Sequence, residues 1–140
     1  MAILDRSPSD QRTIELLEQR QIVWFATVHP DGKPHVVPVW FLWHDGTTLV
    51  LSQPGAQKLR NIRESARCTL ALDDSGAGHQ PVVFDGMATL EPGTLAGQEL
   101  ARYAAKYGQM LSEMDWTAEQ MLQEYSRVIR IVPTRFLKLS

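Results

Sequence analysis

Cysteine is almost missing from this chain. Cys68 stands alone among 140 residues, so no internal disulfide can form and a reducing compartment is expected. Long apolar runs are missing too. The longest, Val36 to Trp43, is interrupted by Pro38 and falls far short of the ~20 residues needed to cross a bilayer. Residues 1–20 are rich in charge and have no apolar core, which argues against a secretory signal and for the cytoplasm. Neither charge sign dominates: 14 Lys and Arg face 16 Asp and Glu, a net of −2, so nothing draws the whole chain toward nucleic acid. His29, His35, His44 and His79 lack metal-ligand spacing, and Asp73-Asp74-Ser75-Gly76 lacks the glutamate that closes a calcium loop. There is no Gly-x-Ser-x-Gly elbow, Walker loop or dinucleotide fingerprint. Cys68 opens a strand and reads as a small buried hydrophobe rather than a nucleophile.

What is present fits one domain spanning residues 1–140, with 44% hydrophobic residues and enough length for a real core. Residues 1–20 contain a first helix, from about Ser9 to Arg20, opened by Ser7-Pro8-Ser9-Asp10. Residues 22–91 read as barrel strands. Ile22 to Val28 and His35 to Trp43 flank the turn His29-Pro30-Asp31-Gly32-Lys33-Pro34, and His44-Asp45-Gly46-Thr47 leads to a third strand ending at Ser52. A helix over residues 56–66 interrupts the strands, which resume at Cys68 to Leu72 and Val82 to Glu91 around a Gly-rich loop. Residues 94–125 hold two helices, Leu95 to Tyr107 and Thr117 to Tyr125. The first carries Leu100, Tyr103, Ala104 and Tyr107 at helical spacing, a stripe for packing on the barrel. Residues 127–139 form a last strand pair, or one strand bent at Pro133. Six short antiparallel strands close most economically into a small barrel with flanking helices, an α+β arrangement that is mainly β.

The segment Gln57-Lys58-Leu59-Arg60-Asn61-Ile62-Arg63-Glu64-Ser65-Ala66-Arg67 concentrates cations in a slightly acidic chain. Leu59 and Ile62 can anchor it, while Gln57, Lys58 and Asn61 share another face. The helix begins just after Gly55, where unpaired N–H groups and the macrodipole favour an anion. A solvated basic face explains Arg63 and Arg67. For Lys58 the abrupt passage from strand through Ser52-Gln53-Pro54-Gly55 into the helix favours a phosphate cradle.

Three segments, Ala26 to Phe41, Leu51 to Arg63 and Val83 to Leu90, together resemble the flavin- and deazaflavin-binding split β-barrel proteins related to pyridoxamine 5′-phosphate oxidase. Pro38-Val39-Trp40-Phe41 and Lys58-Leu59-Arg60-Asn61 look most like the branch that binds coenzyme F420, an 8-hydroxy-5-deazaflavin. The resemblance implies a homodimer with the cofactor in a cleft between subunits and its ring against Pro38, Val39 and Trp40. It places the phosphate at Ser52, Gln57, Lys58 and Asn61, with Gln53 and Arg60 beside them. It also suggests that Trp116 or Tyr125 of the other subunit closes the cleft. The substrate-binding Arg and His pattern of true pyridoxamine phosphate oxidases is not matched.

The function implied is an F420-dependent oxidoreductase passing a hydride between the deazaflavin and a small organic acceptor, with no catalytic side chain required. An FMN-dependent oxidoreductase or FMN-binding protein remains open, since FMN also presents a phosphate, as does a non-enzymatic cofactor carrier. By strand alternation Trp40 shares a face with Pro38 and Leu42, while Val39, Phe41 and Trp43 share the other.

Overall fold

A computed structural model describes residues 2–3, 11–73 and 81–138. The elements run β1 (Ala2–Ile3), α1 (Gln11–Gln19), β2 (Ile22–Val28), β3 (Pro34–Trp40), β4 (Leu42–His44), β5 (Thr47–Ser52) and α2 (Gln57–Glu64). They continue with β6 (Arg67–Leu72), β7 (Val82–Glu91), α3 (Gly97–Glu113), α4 (Ala118–Glu124) and β8 (Arg127–Lys138). Ser9 and Asp10, expected to open the first helix, lie outside the described residues, as does most of the Gly-rich loop before β7.

One curled antiparallel sheet runs β3-β2-β6-β7-β8-β5-β4, with β1 added on β8. In β2, Val23, Phe25 and Thr27 are buried while Trp24 is exposed, the period-two pattern of a strand with one face on a core. The two expected hairpins form. Asp45 and Gly46 take φ of 51° and 71°, as a two-residue turn between paired strands requires. In the other turn His29 and Gly32 are bonded at 2.7 Å.

The expected strand His35 to Trp43 is two strands, and β1 adds a further one on β8, so the sheet has eight strands rather than six. Trp40 pairs with Ile22 at one end of the strand order, whereas Leu42 pairs with Leu49 at the other. Phe41 leaves the ladder because its neighbours bond to opposite edges. Its buried backbone still has partners: the N–H donates to the Tyr107 hydroxyl at 2.9 Å, and the carbonyl accepts from Lys106 Nζ at 2.8 Å. The chain itself closes the barrel at this point. The third expected strand, β5, accordingly pairs with β8 and β4 and not with β3.

The final segment is one strand. Pro133 sits opposite Gly86, where the β7–β8 register shifts, a position that spares the missing N–H. Gly86 is required there. A Cβ on it would meet Ile131 Cγ2 at 2.6 Å and Val132 O at 3.0 Å. Helix α3 runs past the expected end at Tyr107 to Glu113, and Asp115, with φ of 58°, turns the chain out of it.

Two apolar clusters result. The barrel interior holds Phe25, Phe41, Val50, Leu70, Phe84, Ile129 and Phe136, with Val39 and Trp43 packed on it. The second cluster joins Leu42, Leu49 and Leu51 to Tyr103, Tyr107, Leu111 and Met121 of the helices, with Trp40 beside it. The alternation expected around Trp40 therefore persists through the break at Phe41. Strand β5 is buried on both faces because its two sides feed the two clusters.

Candidate functional site

Strand β3 and helix α2 each bring residues to one cavity of about 350 Å³. From β3 come Pro38, Val39 and Trp40, with Ile22 and Leu51 from the neighbouring strands. Lys58 enters from the first turn of α2. The opposite wall is largely helical: Tyr103 and Leu111 from α3, Met114 and Trp116 from the link, Met121 from α4 and Tyr125 at its C-terminal cap. The volume lies within the usual range for small-ligand pockets, and so does the largely apolar and aromatic lining.

The walls are stiff. Trp40 stacks on Tyr107 with ring centroids 4.4 Å apart and planes within 2°. Trp116 meets Tyr125 edge to face at 6.4 Å. A capping box between Thr117 and Gln120 starts α4, with Thr117 N–H donating to Gln120 Oε1 at 2.8 Å and Gln120 N–H to Thr117 Oγ1 at 3.1 Å.

Two polar groups in the cavity lack partners among the described residues. The Lys58 ammonium makes no hydrogen bond or ion pair among the described residues, and burial pushes its pKa below the usual lysine value. A half-buried cation without a counter-charge favours an incoming anion. The Tyr103 hydroxyl is likewise without a hydrogen-bond partner among the described residues, although the residue is only 2% exposed.

The other residues expected at the phosphate surround Lys58 but are bonded to one another. Asn61 is fully buried; its Nδ2 donates to Thr27 Oγ1 at 2.9 Å, and its Oδ1 accepts from Gln57 Nε2 at 2.8 Å. Arg60 donates to Gly55 O at 3.1 Å and to Gln57 Oε1 at 2.5 Å. The buried Ser52 hydroxyl donates to Gln53 O at 2.9 Å, and Gln53 Nε2 lies 3.5 Å from Glu124 Oε2. Pro38, Val39, Trp40 and Lys58 thus share the cavity, while Ser52, Gln53, Gln57, Arg60 and Asn61 brace the head of α2. The capping residue Ala56 has no side chain that could occupy the helix N-terminus.

Sequence reasoning missed most of the helical wall. Tyr103 belongs to the stripe read as packing, and Leu111, Met114 and Met121 carried no separate signal. Trp116 and Tyr125, expected to come from a partner, line the same cavity as Trp40 within one chain.

A broader hollow of about 630 Å³ opens on the outer sheet face. There Asp85 already accepts from Arg135 Nε at 2.6 Å and from Thr69 Oγ1 at 2.8 Å. Among the described residues no group of His, Cys, Asp and Glu is arranged to hold a metal, and no helix is long and apolar enough to cross a membrane.

A curled antiparallel sheet closed at Phe41, with helices covering a cavity beside β3, defines a split β-barrel. The chain belongs to the pyridoxamine 5′-phosphate oxidase family, whose pattern matches residues 9–140. The family binds FMN or F420. Similar solved structures include an F420 reductase at 23% identity and TM-score 0.68, with 94% of this chain and 99% of that one covered. HutZ, the haem storage protein of Vibrio cholerae, is 18% identical with TM-score 0.69, over 92% of this chain and 94% of that one. HupZ of Group A Streptococcus is 20% identical with TM-score 0.65, covering 94% of each chain. These likenesses establish the fold. No curated protein matches the chain.

Proposed function

We propose that this protein is a coenzyme F420-dependent reductase acting on a small organic acceptor. The observation that carries the reading is the unpaired Lys58 ammonium in an aromatic-walled cavity running along Pro38, Val39 and Trp40. That donor set suits a flat heterocycle bearing an anionic side chain. Lys58 and the head of α2 would hold the phosphate, and Trp40, Trp116 and Tyr125 would flank the ring and exclude water. When bound, the deazaflavin supplies hydride chemistry; the chain orients it and keeps the site dry. The quoted likeness of Pro38 to Phe41 and Lys58 to Asn61 to the F420 branch favours the deazaflavin.

FMN is the second reading, because an unpaired Lys58 serves the phosphate of either cofactor. A haem-storing role, as in HutZ, draws less support from this cavity, whose lining has no histidine or cysteine.

A homodimer is part of the proposal. Trp24, Val28, Val36, Met87 and Val132 are all exposed on the outer face of the sheet, and Met87 pairs directly with Val132. Several exposed apolar side chains on one sheet face suit a contact surface. Sedimentation at micromolar concentration should give twice the chain mass, and a monomer would remove this part.

Titration with the deazaflavin coenzyme and with FMN, together with the mass of any cofactor released from freshly purified protein, tests the reading. Binding of the deazaflavin below about 10 µM is expected, with Lys58→Ala weaker by roughly 1.5–3 kcal/mol. Absence of deazaflavin binding at about 50 µM would sink the F420 assignment.

A further inference from the structure

A phenol needs a partner when it is taken out of water. Tyr103 is 2% exposed, and no described residue accepts from or donates to its hydroxyl. Its neighbour Tyr107 cannot help. Their rings lie 4.8 Å apart and tilted by 41°, and the Tyr107 hydroxyl is already engaged with the backbone of Phe41 and Gln21. Unlike Thr48, whose Oγ1 is buried without a partner, Tyr103 lines the cavity. Phenylalanine would fill the same place in the packing without a polar atom to satisfy.

The polar handles of Trp116 and Tyr125 are different, since both residues are half-buried and open to water. Lys58 and Tyr103 are therefore the two cavity groups for which a ligand is the natural partner. Their chemistry differs: Lys58 asks for an anion, and Tyr103 offers a single O–H to a neutral acceptor. Burial pushes the ionisation of Tyr103 upward, so it remains a donor at any physiological pH.

We propose that the Tyr103 hydroxyl donates a hydrogen bond to a carbonyl oxygen of the planar heterocycle bound in the cavity, making it a ring-positioning residue separate from the phosphate contact at Lys58. This inference rests on the cofactor reading above. Flavin and deazaflavin rings both carry such carbonyls, so the contact holds for either.

The test titrates wild type, Tyr103→Phe and Lys58→Ala with FMN, riboflavin and the deazaflavin coenzyme, following ring absorption and fluorescence. Tyr103→Phe should weaken FMN and riboflavin alike by about three- to tenfold, the effect of one neutral hydrogen bond. It should also move the absorption band of the bound ring. Lys58→Ala should weaken FMN and spare riboflavin, which lacks the phosphate. Without ligand, Tyr103→Phe should melt at or above the wild-type temperature, because an unpaired hydroxyl has been removed. Unchanged affinity and spectrum in Tyr103→Phe, with the Lys58→Ala loss intact, would overturn the Tyr103 assignment and leave the cofactor reading standing. A lower melting point in the unliganded variant would place the hydroxyl's partner within the protein and overturn it as well. If wild type binds none of the three ligands, the cofactor reading fails and takes this inference with it.

Discussion

The Tyr107 hydroxyl oxygen lies 2.9 Å from both the amide nitrogen and the carbonyl oxygen of Phe41. It accepts from the N–H and has one proton to give, for which Gln21 O at 2.7 Å competes with Phe41 O. Lys106 already serves Phe41 O, so Gln21 is the natural recipient. In Tyr107→Phe the buried Phe41 N–H has no acceptor. The expected loss is about 1–3 kcal/mol in urea unfolding, with little change in the dependence on urea. Unchanged stability would show that Phe41 finds another partner.

Lys106 gives a pH signature. Burial holds its ammonium at about 8, down from 10.5. Between those values the unfolded chain binds more protons than the folded one, so this contribution to stability rises with pH. Below about 8 the full penalty of burying the charge is present. Lys58, also lowered, acts in the same direction, while Cys68 and the buried tyrosines oppose it above their unfolded values of 9.0 and 10.0. Comparison with Lys106→Met isolates the group. Wild type should gain stability relative to the variant between about pH 8 and pH 10.5, and a constant difference would contradict the assignment.

Cys68 should be inert in the folded protein. Desolvation, helped by the Asp85 charge, pushes its thiol to about 12, and the side chain is buried with Sγ 3.5 Å from Gly86 O. The thiolate is the reactive form, so alkylation at pH 8 should be slower than for a free thiol by about a thousandfold. Labelling should become fast in denaturant. Rapid modification of the folded chain would mean that the β6–β7 region opens readily.

Gly86→Ala should be destabilising by about 1–3 kcal/mol, because the added methyl would press on Ile131 Cγ2 and Val132 O. Ile131 belongs to the barrel core and Val132 O to the backbone of β8, so relief on one side strains the other. Thermal unfolding measures this directly. A neutral substitution would show that β8 shifts without cost at its bulge.

Much of the architecture was legible because it rests on local rules. Alternation sorted Val39, Phe41 and Trp43 from Trp40 and Leu42, and Asp45-Gly46 announced its turn. Lys58 stood out by its place at the head of a helix after Gly55. The break at Phe41 was not legible. Nothing in Val36 to Trp43 ends a strand; the groups that take over its hydrogen bonds, Lys106 and Tyr107, come from a distant helix. The helical wall of the cavity was hidden for another reason. Tyr103 and Leu111 follow the same spacing whether they face a core or a hollow, and periodicity cannot tell the two apart. The head of α2 shows a third limit. Gln57, Arg60 and Asn61 were read as ligand contacts by type; that their side chains also bond one another is not something residue type announces.

Closure through a single residue has a consequence for how the barrel comes apart. Strands β3 and β4 end the strand order on opposite sides and meet covalently at Phe41. Neither can peel away without tugging on the other, and both are tethered to α3 at the same point. The amide proton of Phe41, buried under Tyr107, should therefore exchange with solvent only when the whole domain unfolds, ranking among the slowest in the molecule although it lies outside every strand.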